Sequence, residues 1–243
     1  MKAFAHSLTT VAVILAAWQA LHLTAGGGVL TSPWDTTAEL AHLLGSSSFW
    51  PHVAETARAL ALALVIGAAG GLALGLAIGI NRLAREVAEP IFLNLYSLPK
   101  VTLYPLVLLV FGLGLPAKVA FGVMHGLIPI AVFTMNAIAQ MRPVFLRVSA
   151  TLRLAPHRAM LHIVLPAILP EVVSGMRLGF SLTLLGVLIG EMFASQRGLG
   201  YLLTNAMNLG DIKTIMAVAL LLVLFALACN SLLLGAGRRL EHR

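Results

Sequence analysis

Charge is what this chain has least of. Of its 243 residues only 10% are Asp, Glu, Lys or Arg, against 59% apolar, and the mean hydropathy is +0.95. Soluble domains carry about 25% charged residues, so this chain cannot maintain a water-facing surface and its solvent must be mostly lipid. A single cysteine, Cys229, excludes an intrachain disulfide and reads as a small apolar filler. No G-x-x-x-x-G-K-[ST] occurs, so the chain cannot hold ATP on a phosphate loop; H-E-x-x-H and G-x-S-x-G are also missing. The eight histidines are scattered, and His52, His125, His157 and His162 show no paired metal-ligand spacing. Aromatic residues do not interleave with basic ones as base stacking requires. The net charge of +7 therefore reads as arginine retained on one side of a membrane rather than as a nucleic-acid footprint.

What is present is a succession of six apolar runs, roughly 8–25, 53–80, 91–113, 117–138, 167–193 and 212–236. Each approaches the ~20 residues a spanning helix needs. Lys2 followed by an apolar run also fits a cleavable signal peptide, but the run continues past Trp18 to Thr24, which favours an uncleaved first span. Placing the N-terminus inside puts ten cations on the inner side: Lys2, Arg82, Arg85, Arg142, Arg147, Arg153, Arg158, Arg238, Arg239 and Arg243. Three, Lys118, Arg197 and Lys213, fall outside. That bias predicts two cytoplasmic termini. Segment 26–51 is then external, with a short helix over about Thr36–Leu44 capped by Thr36 or Asp35. The organisation expected is a first helix and external segment (1–50), an apolar core (51–237) and a basic tail (238–243).

Gly67, Gly71, Gly75 and Gly79 recur every four residues and line one helix face. A neighbouring backbone can approach such a face closely, so it predicts one intimate helix pair, inside the subunit or across a dimer. Gly122/Gly126, Gly175/Gly179 and Gly186/Gly190 repeat the spacing. Pro99 and Pro105 interrupt the third run, and a doubly kinked span is expected to line a cavity rather than lipid. Lys100 and Arg177 fall near mid-depth, where a charge costs about 2.5–3.5 kcal/mol and faces a polar interior or a partner. Two readings of them stand side by side: a translocation path favouring an anion, or structural pairing with a carboxylate or helix-end carbonyls. Glu191, Glu171 and Arg58 lie at span ends and read as interface residues that snorkel.

Between the fourth and fifth runs lies a basic segment, about Gln140–Pro166, carrying Arg142, Arg147, Arg153 and Arg158. It closes on Ile163-Val164-Leu165-Pro166, with Leu169-Pro170 and Gly175 after it. Three further stretches are distinctive. Ser97-Leu98-Pro99-Lys100 is followed by Pro105-Leu106 and Phe111-Gly112-Leu113-Gly114; Gly190-Glu191-Met192-Phe193-Ala194 and Gly198-Leu199-Gly200-Tyr201 come later. In order and spacing over about residues 50–235, these resemble the membrane subunit of binding-protein-dependent ABC importers, and within it the nitrate/sulfonate/taurine permease group.

The resemblance implies an all-α polytopic protein of a bacterial inner membrane, with about six transmembrane helices and the type I importer permease fold. It implies two permease subunits around one path, a homodimer being expected and a heterodimer left open. A cytoplasmic ATP-binding subunit would dock on the loop, and a periplasmic solute-binding protein would deliver a small anion. The chain itself would be no enzyme and hold no cofactor or metal; ATP and Mg would sit in the partner ATPase. In the family the loop reads E-A-A, then a glycine four residues on, then I-x-L-P, and forms coupling helices that enter a groove on the ATPase. Counting back from Leu165-Pro166, the E-A-A positions are Arg147, Val148 and Ser149 and the glycine position is Arg153. The second half matches and the first does not. The arginine resists the turn that glycine permits, and the lost carboxylate reverses the local charge. Two alternatives remain: a gradient-driven secondary transporter, for which inverted repeats and intramembrane carboxylates are lacking, and a non-transporting regulatory subunit, which the altered loop allows.

Overall fold

The computed structural model describes residues 2–241, without the side chains of residues 2–8, 146, 148–150, 156, 194 and 238–241. Among the described residues every element is helical. The order is α1 (Lys2–Ala25), α2 (Pro33–Gly45), α3 (Trp50–Gly79), α4 (Arg82–Ser97), a 3-10 turn (Lys100–Leu103) and α5 (Tyr104–Phe111). Then come α6 (Leu115–Gln140), α7 (Pro143–Thr151), α8 (Pro156–Ala159), a π segment (Met160–Val164), α9 (Leu165–Ala194), α10 (Leu199–Leu209) and α11 (Ile212–Glu241).

Four helices are long and apolar enough to cross a membrane: Trp50–Gly79, Leu115–Gln140, His157–Phe193 and Ile212–Gly237. A fifth crossing exists only as the pair Arg82–Ser97 and Lys100–Phe111, bent by 84°. α1 is 24 residues long, and its stretch Thr9–Ala25 is apolar. Among the described residues four long crossings are present, or five with the broken pair, since the third run breaks instead of kinking. Leu98 precedes Pro99 and is driven to ψ 138°, outside the helical region. Pro105 kinks nothing, since it lies in the first turn of α5, where its missing N–H has no partner to lose. The external helix begins earlier than expected, at Pro33, and its cap is Ser32, whose hydroxyl accepts from the Asp35 amide at 3.0 Å.

The core is a sandwich of α3, α6 and α9, with α6 in the middle. The regular glycines of α3 lie on α6. A Cβ on Gly71 would come within 2.8 Å of the Leu127 carbonyl, and one on Gly75 within 2.7 Å of the Ala131 carbonyl. The α6–α9 contact uses small residues from both sides, Gly122 and Gly126 against Val187 and Thr183, and Gly175 and Gly179 against Phe133 and Ile130. In lipid, where apolar surface alone gives helices no reason to associate, this close approach supplies the dispersion contacts that hold them. α11 closes the other side of α9 and also packs on α2 and α10. The broken pair α4–α5 leans on α6 with Leu83, Val87, Ile91, Leu109 and Phe111 exposed.

Candidate functional site

The bundle has two ends, one carrying the 140–166 loop. There α7 and the continuous α8–π segment form a helical hairpin around a turn at residues 152–155, with α7 packed on the π segment. Arg153 in this turn has φ +48°, the one non-glycine residue in the left-handed region among those described. That is the position where the sequence pattern calls for glycine, so the backbone keeps the turn and the arginine bears its strain. A left-handed residue costs about 1–2 kcal/mol when it carries a Cβ. Arg147 is exposed on α7, whereas the side chains of Val148 and Ser149 lie outside the described residues. Val144, Phe145, Leu152 and Leu161 leave apolar surface exposed around the hairpin.

The chain re-enters the bundle through the π segment. Ile163 within it and Leu165 after it are half-buried, and Pro166 is exposed in the first turn of α9. Val164 is buried with Ala137, Ile168 and Val172, with Leu72 and Leu76 of α3 packed against them. Movement of this hairpin therefore bears directly on the α3–α6–α9 core.

The candidate path residues are not brought together in one cluster. Lys100 is half-buried at the α4–α5 break, beside the exposed Pro99 and Pro105. Its Nζ donates to the Tyr96 carbonyl at 3.1 Å and sits 5.0 Å from the Tyr96 ring centroid. A cation there meets the negative end of α4, an interaction of about 0.3–1 kcal/mol. Arg177 donates from Nε to Asn230 Oδ1 of α11 at 2.9 Å and lines a groove with Ser174 and Ser181.

The opposite end holds the polar network that sequence reasoning missed. Glu191 is fully buried, not snorkelling. Its carboxyl accepts from the Thr56 hydroxyl of α3 at 2.8 and 2.9 Å and from the Gly200 amide at 3.0 Å. The Thr56 hydroxyl in turn accepts from the Leu199 amide at 2.8 Å. Gly198, at φ +127°, passes so close that a Cβ there would overlap the Glu191 carboxyl. Its amide donates to His52 Nδ1 at 3.2 Å, and the His52 ring stacks on Tyr201. Beside this, Tyr104 donates to the Gly190 carbonyl at 2.7 Å. The Gly-Glu and Gly-Leu-Gly-Tyr stretches are thus two halves of one fastening between α9, the α10 start and α3.

Lys118, assigned from sequence to an external segment, lies in the first turn of α6 with 2% exposure. Its Nζ donates to Glu55 Oε1 at 2.9 Å and to the Arg197 carbonyl at 3.1 Å. These groups border an open recess of about 640 Å³ that Phe193, Ser195 and Gln196 also line. Glu55 and Lys118 are 63 positions apart, which is why no local pattern announced the pair.

Among the described residues no group of three His, Cys, Asp or Glu could hold a metal ion.

Comparison with known proteins gives this architecture a family. A "Probable ABC transporter permease protein" of Haemophilus influenzae is 28% identical over 90% of this chain and 90% of its own. The taurine transport system permease protein TauC of Escherichia coli is 24% identical over 82% of this chain and 75% of its own. Permeases named for aliphatic sulfonates and for nitrate import are also among the relatives. In fold, the chain superimposes on an inward-facing structure of the MetNI methionine ABC transporter with a TM-score of 0.64 at 20% identity, covering 80% of this chain and 96% of that one. Residues 67–243 match the family described as binding-protein-dependent transport system inner membrane component. The chain belongs to that family: it is a multi-pass ABC importer permease.

Proposed function

We propose that this chain is the path-forming subunit of an ATP-driven importer of a small anionic solute resembling a sulfonate, taurine or nitrate. A solute-binding protein delivers the solute at the recess end, and a separate ATPase binds beneath. In this reading residues 51–237 form the permease core, residues 1–50 an accessory helix and external segment, and 238–243 a basic tail. Both termini and the 140–166 loop face the cytoplasm, where the arginine bias favours them. Two copies surround the path, each contributing Lys100, Arg177 and the Pro99–Pro105 break. ATP and Mg belong to the partner, and hydrolysis there rocks the helices by rigid-body motion.

The observation that carries the reading is the α7–α8 hairpin, a basic projection with exposed Val144, Phe145, Leu152 and Leu161, joined to the core through buried Val164. Exposed apolar side chains ringed by charge mark a protein interface. Affinity purification of the tagged chain in mild detergent tests it. A stoichiometric ATPase carrying a phosphate loop is expected to co-purify, and to be lost when Arg147 and Arg153 are both replaced by glutamate. A folded protein that brings down no ATPase would reject the reading. It would favour the second one, a non-transporting subunit, to which the strained Arg153 turn gives its only support.

A further inference from the structure

The recess at the end opposite the loop is built asymmetrically in charge. Lys118, Arg197 and Glu55 border it, which leaves one positive charge in excess. An ammonium has three donors. Two of those on Lys118 are taken, by Glu55 and by the Arg197 carbonyl, and the third has no acceptor among the described residues. The Arg197 side chain is exposed and likewise has no carboxylate partner among the described residues. Lys118 itself is almost fully buried, so its charge acts through protein rather than through water, where an opposite charge is felt several-fold more strongly.

A second feature points the same way. α6 is 26 residues long and starts at the recess, with Gly114 as its cap residue and no side chain capping its amides. Pro116 has no N–H and the Lys118 amide bonds the Gly114 carbonyl, so the Leu115 and Ala117 amides carry the positive end of the helix dipole at the same space. Two apolar side chains, Leu113 and Phe193, complete the lining, 78% and 63% exposed. The volume of about 640 Å³ lies within the range of small-molecule sites, about 300–1,000 Å³.

We propose that this recess is the first solute site of the permease, taking a singly charged oxyanion with a short apolar body, such as an alkanesulfonate. The anionic head meets the guanidinium of Arg197 and the positive start of α6, in the field of the buried Lys118 ammonium, whose donors it reaches only as Glu55 gives way. The alkyl part lies on Phe193 and Leu113. Glu55 is the internal counter-ion that occupies Lys118 when the site is empty, and the arriving anion competes with it. The inference rests on the importer reading and gives the path its entrance.

The test reads the local field and occupancy without needing transport. In a Cys229→Ser background, Gln196→Cys places a thiol on the recess wall. Its reaction with an anionic and a cationic methanethiosulfonate, added from outside to the assembled importer in proteoliposomes, is compared with that of a free thiol. The expected ratio favours the anionic reagent by about fivefold, and millimolar ethanesulfonate protects the thiol. Lys118→Met should bring the ratio towards one and abolish protection. Glu55→Gln, which keeps the shape and removes the competitor, should shift protection to lower ethanesulfonate. A ratio unmoved by Lys118→Met, with no protection by ethanesulfonate and no change in Glu55→Gln, overturns the site. ATP-dependent uptake in the same vesicles separates the two claims. Uptake without protection rejects the site and keeps the importer; protection without uptake keeps the site and rejects the importer.

Discussion

Arg153 and Gly75 are the residues at which backbone geometry makes the sharpest demands. Arg153 adopts φ +48° in an exposed turn, so Arg153→Gly removes a Cβ from a conformation that disfavours one and discards little packing. The variant should be more stable by about 1 kcal/mol, seen as a higher thermal midpoint in detergent; a lower midpoint would mean that the guanidinium has a contact worth more than the strain. Gly75 is the opposite case. A Cβ there would lie 2.5 Å from the Thr134 Cβ and 2.7 Å from the Ala131 carbonyl, and the carbonyl cannot move aside. Gly75→Leu should cost at least about 1–3 kcal/mol and reduce the monodisperse fraction in size-exclusion chromatography. Gly235→Leu, at a position with nothing within 4 Å, should not. Equal behaviour of the two would show that α3 and α6 are not in intimate contact. Both positions were visible in the sequence, one as a regular glycine spacing and the other as a departure from a glycine. Glu191 was misjudged because its place near a helix end suggests an interface residue. Only the return of residues 198–200 over it, at Gly198 and Gly200, buries it.

At the scale of elements, periodicity located the long helices and failed at breaks and caps, which depend on a few residues each. The third apolar run became two helices at 84° because one X-Pro step left the helical region. The external helix starts at Ser32-Pro33 rather than at Thr36, because Ser32 reaches the Asp35 amide and Pro33 is pre-set for the first turn. A comparable device opens α11. Gly210 ends α10 in the left-handed region at φ +68°, and Asp211 Oδ1 accepts from the Thr214 amide at 3.1 Å. The Thr214 hydroxyl and amide hold the Asp211 carboxyl below its ordinary value. A carboxylate lowered in this way contributes stability that is fully present above its unfolded pKa of about 3.9 and is lost as pH falls through the lower folded value. Asp211→Ala should therefore lower stability by about 0.5–2 kcal/mol at pH 7, and equally at pH 5. The deficit should shrink only below about pH 4, in thermal scans of the two proteins side by side. A deficit that persisted unchanged well below pH 4 would mean the cap is not ionic, and one that vanished by pH 5 that the carboxyl is not held below its ordinary value.

At the scale of the whole molecule, two polar ends are tied to one tightly packed apolar middle. The hairpin end reaches the core through Val164 against α3 and α6, and the recess end is fastened to α3 through Thr56 and to α6 through Lys118. Because α3, α6 and α9 meet over small residues with little slack, displacement at one end is carried along the helices rather than absorbed between them. The family resemblance could be read from the loop ending and the glycine-rich stretches. The fastening at the other end could not, since Glu55 with Lys118 and Thr56 with Glu191 join residues 63 and 135 positions apart. The central claim is that ATP consumed at the hairpin end moves an anion admitted at the recess end. It is tested most directly by reconstituting the chain with its ATPase and binding protein in proteoliposomes and following labelled taurine, ethanesulfonate and nitrate. Uptake of at least one of them that requires both ATP and the binding protein is the predicted result. An assembled complex that admits none of these anions with ATP, or admits them on an ion gradient without it, would contradict the account.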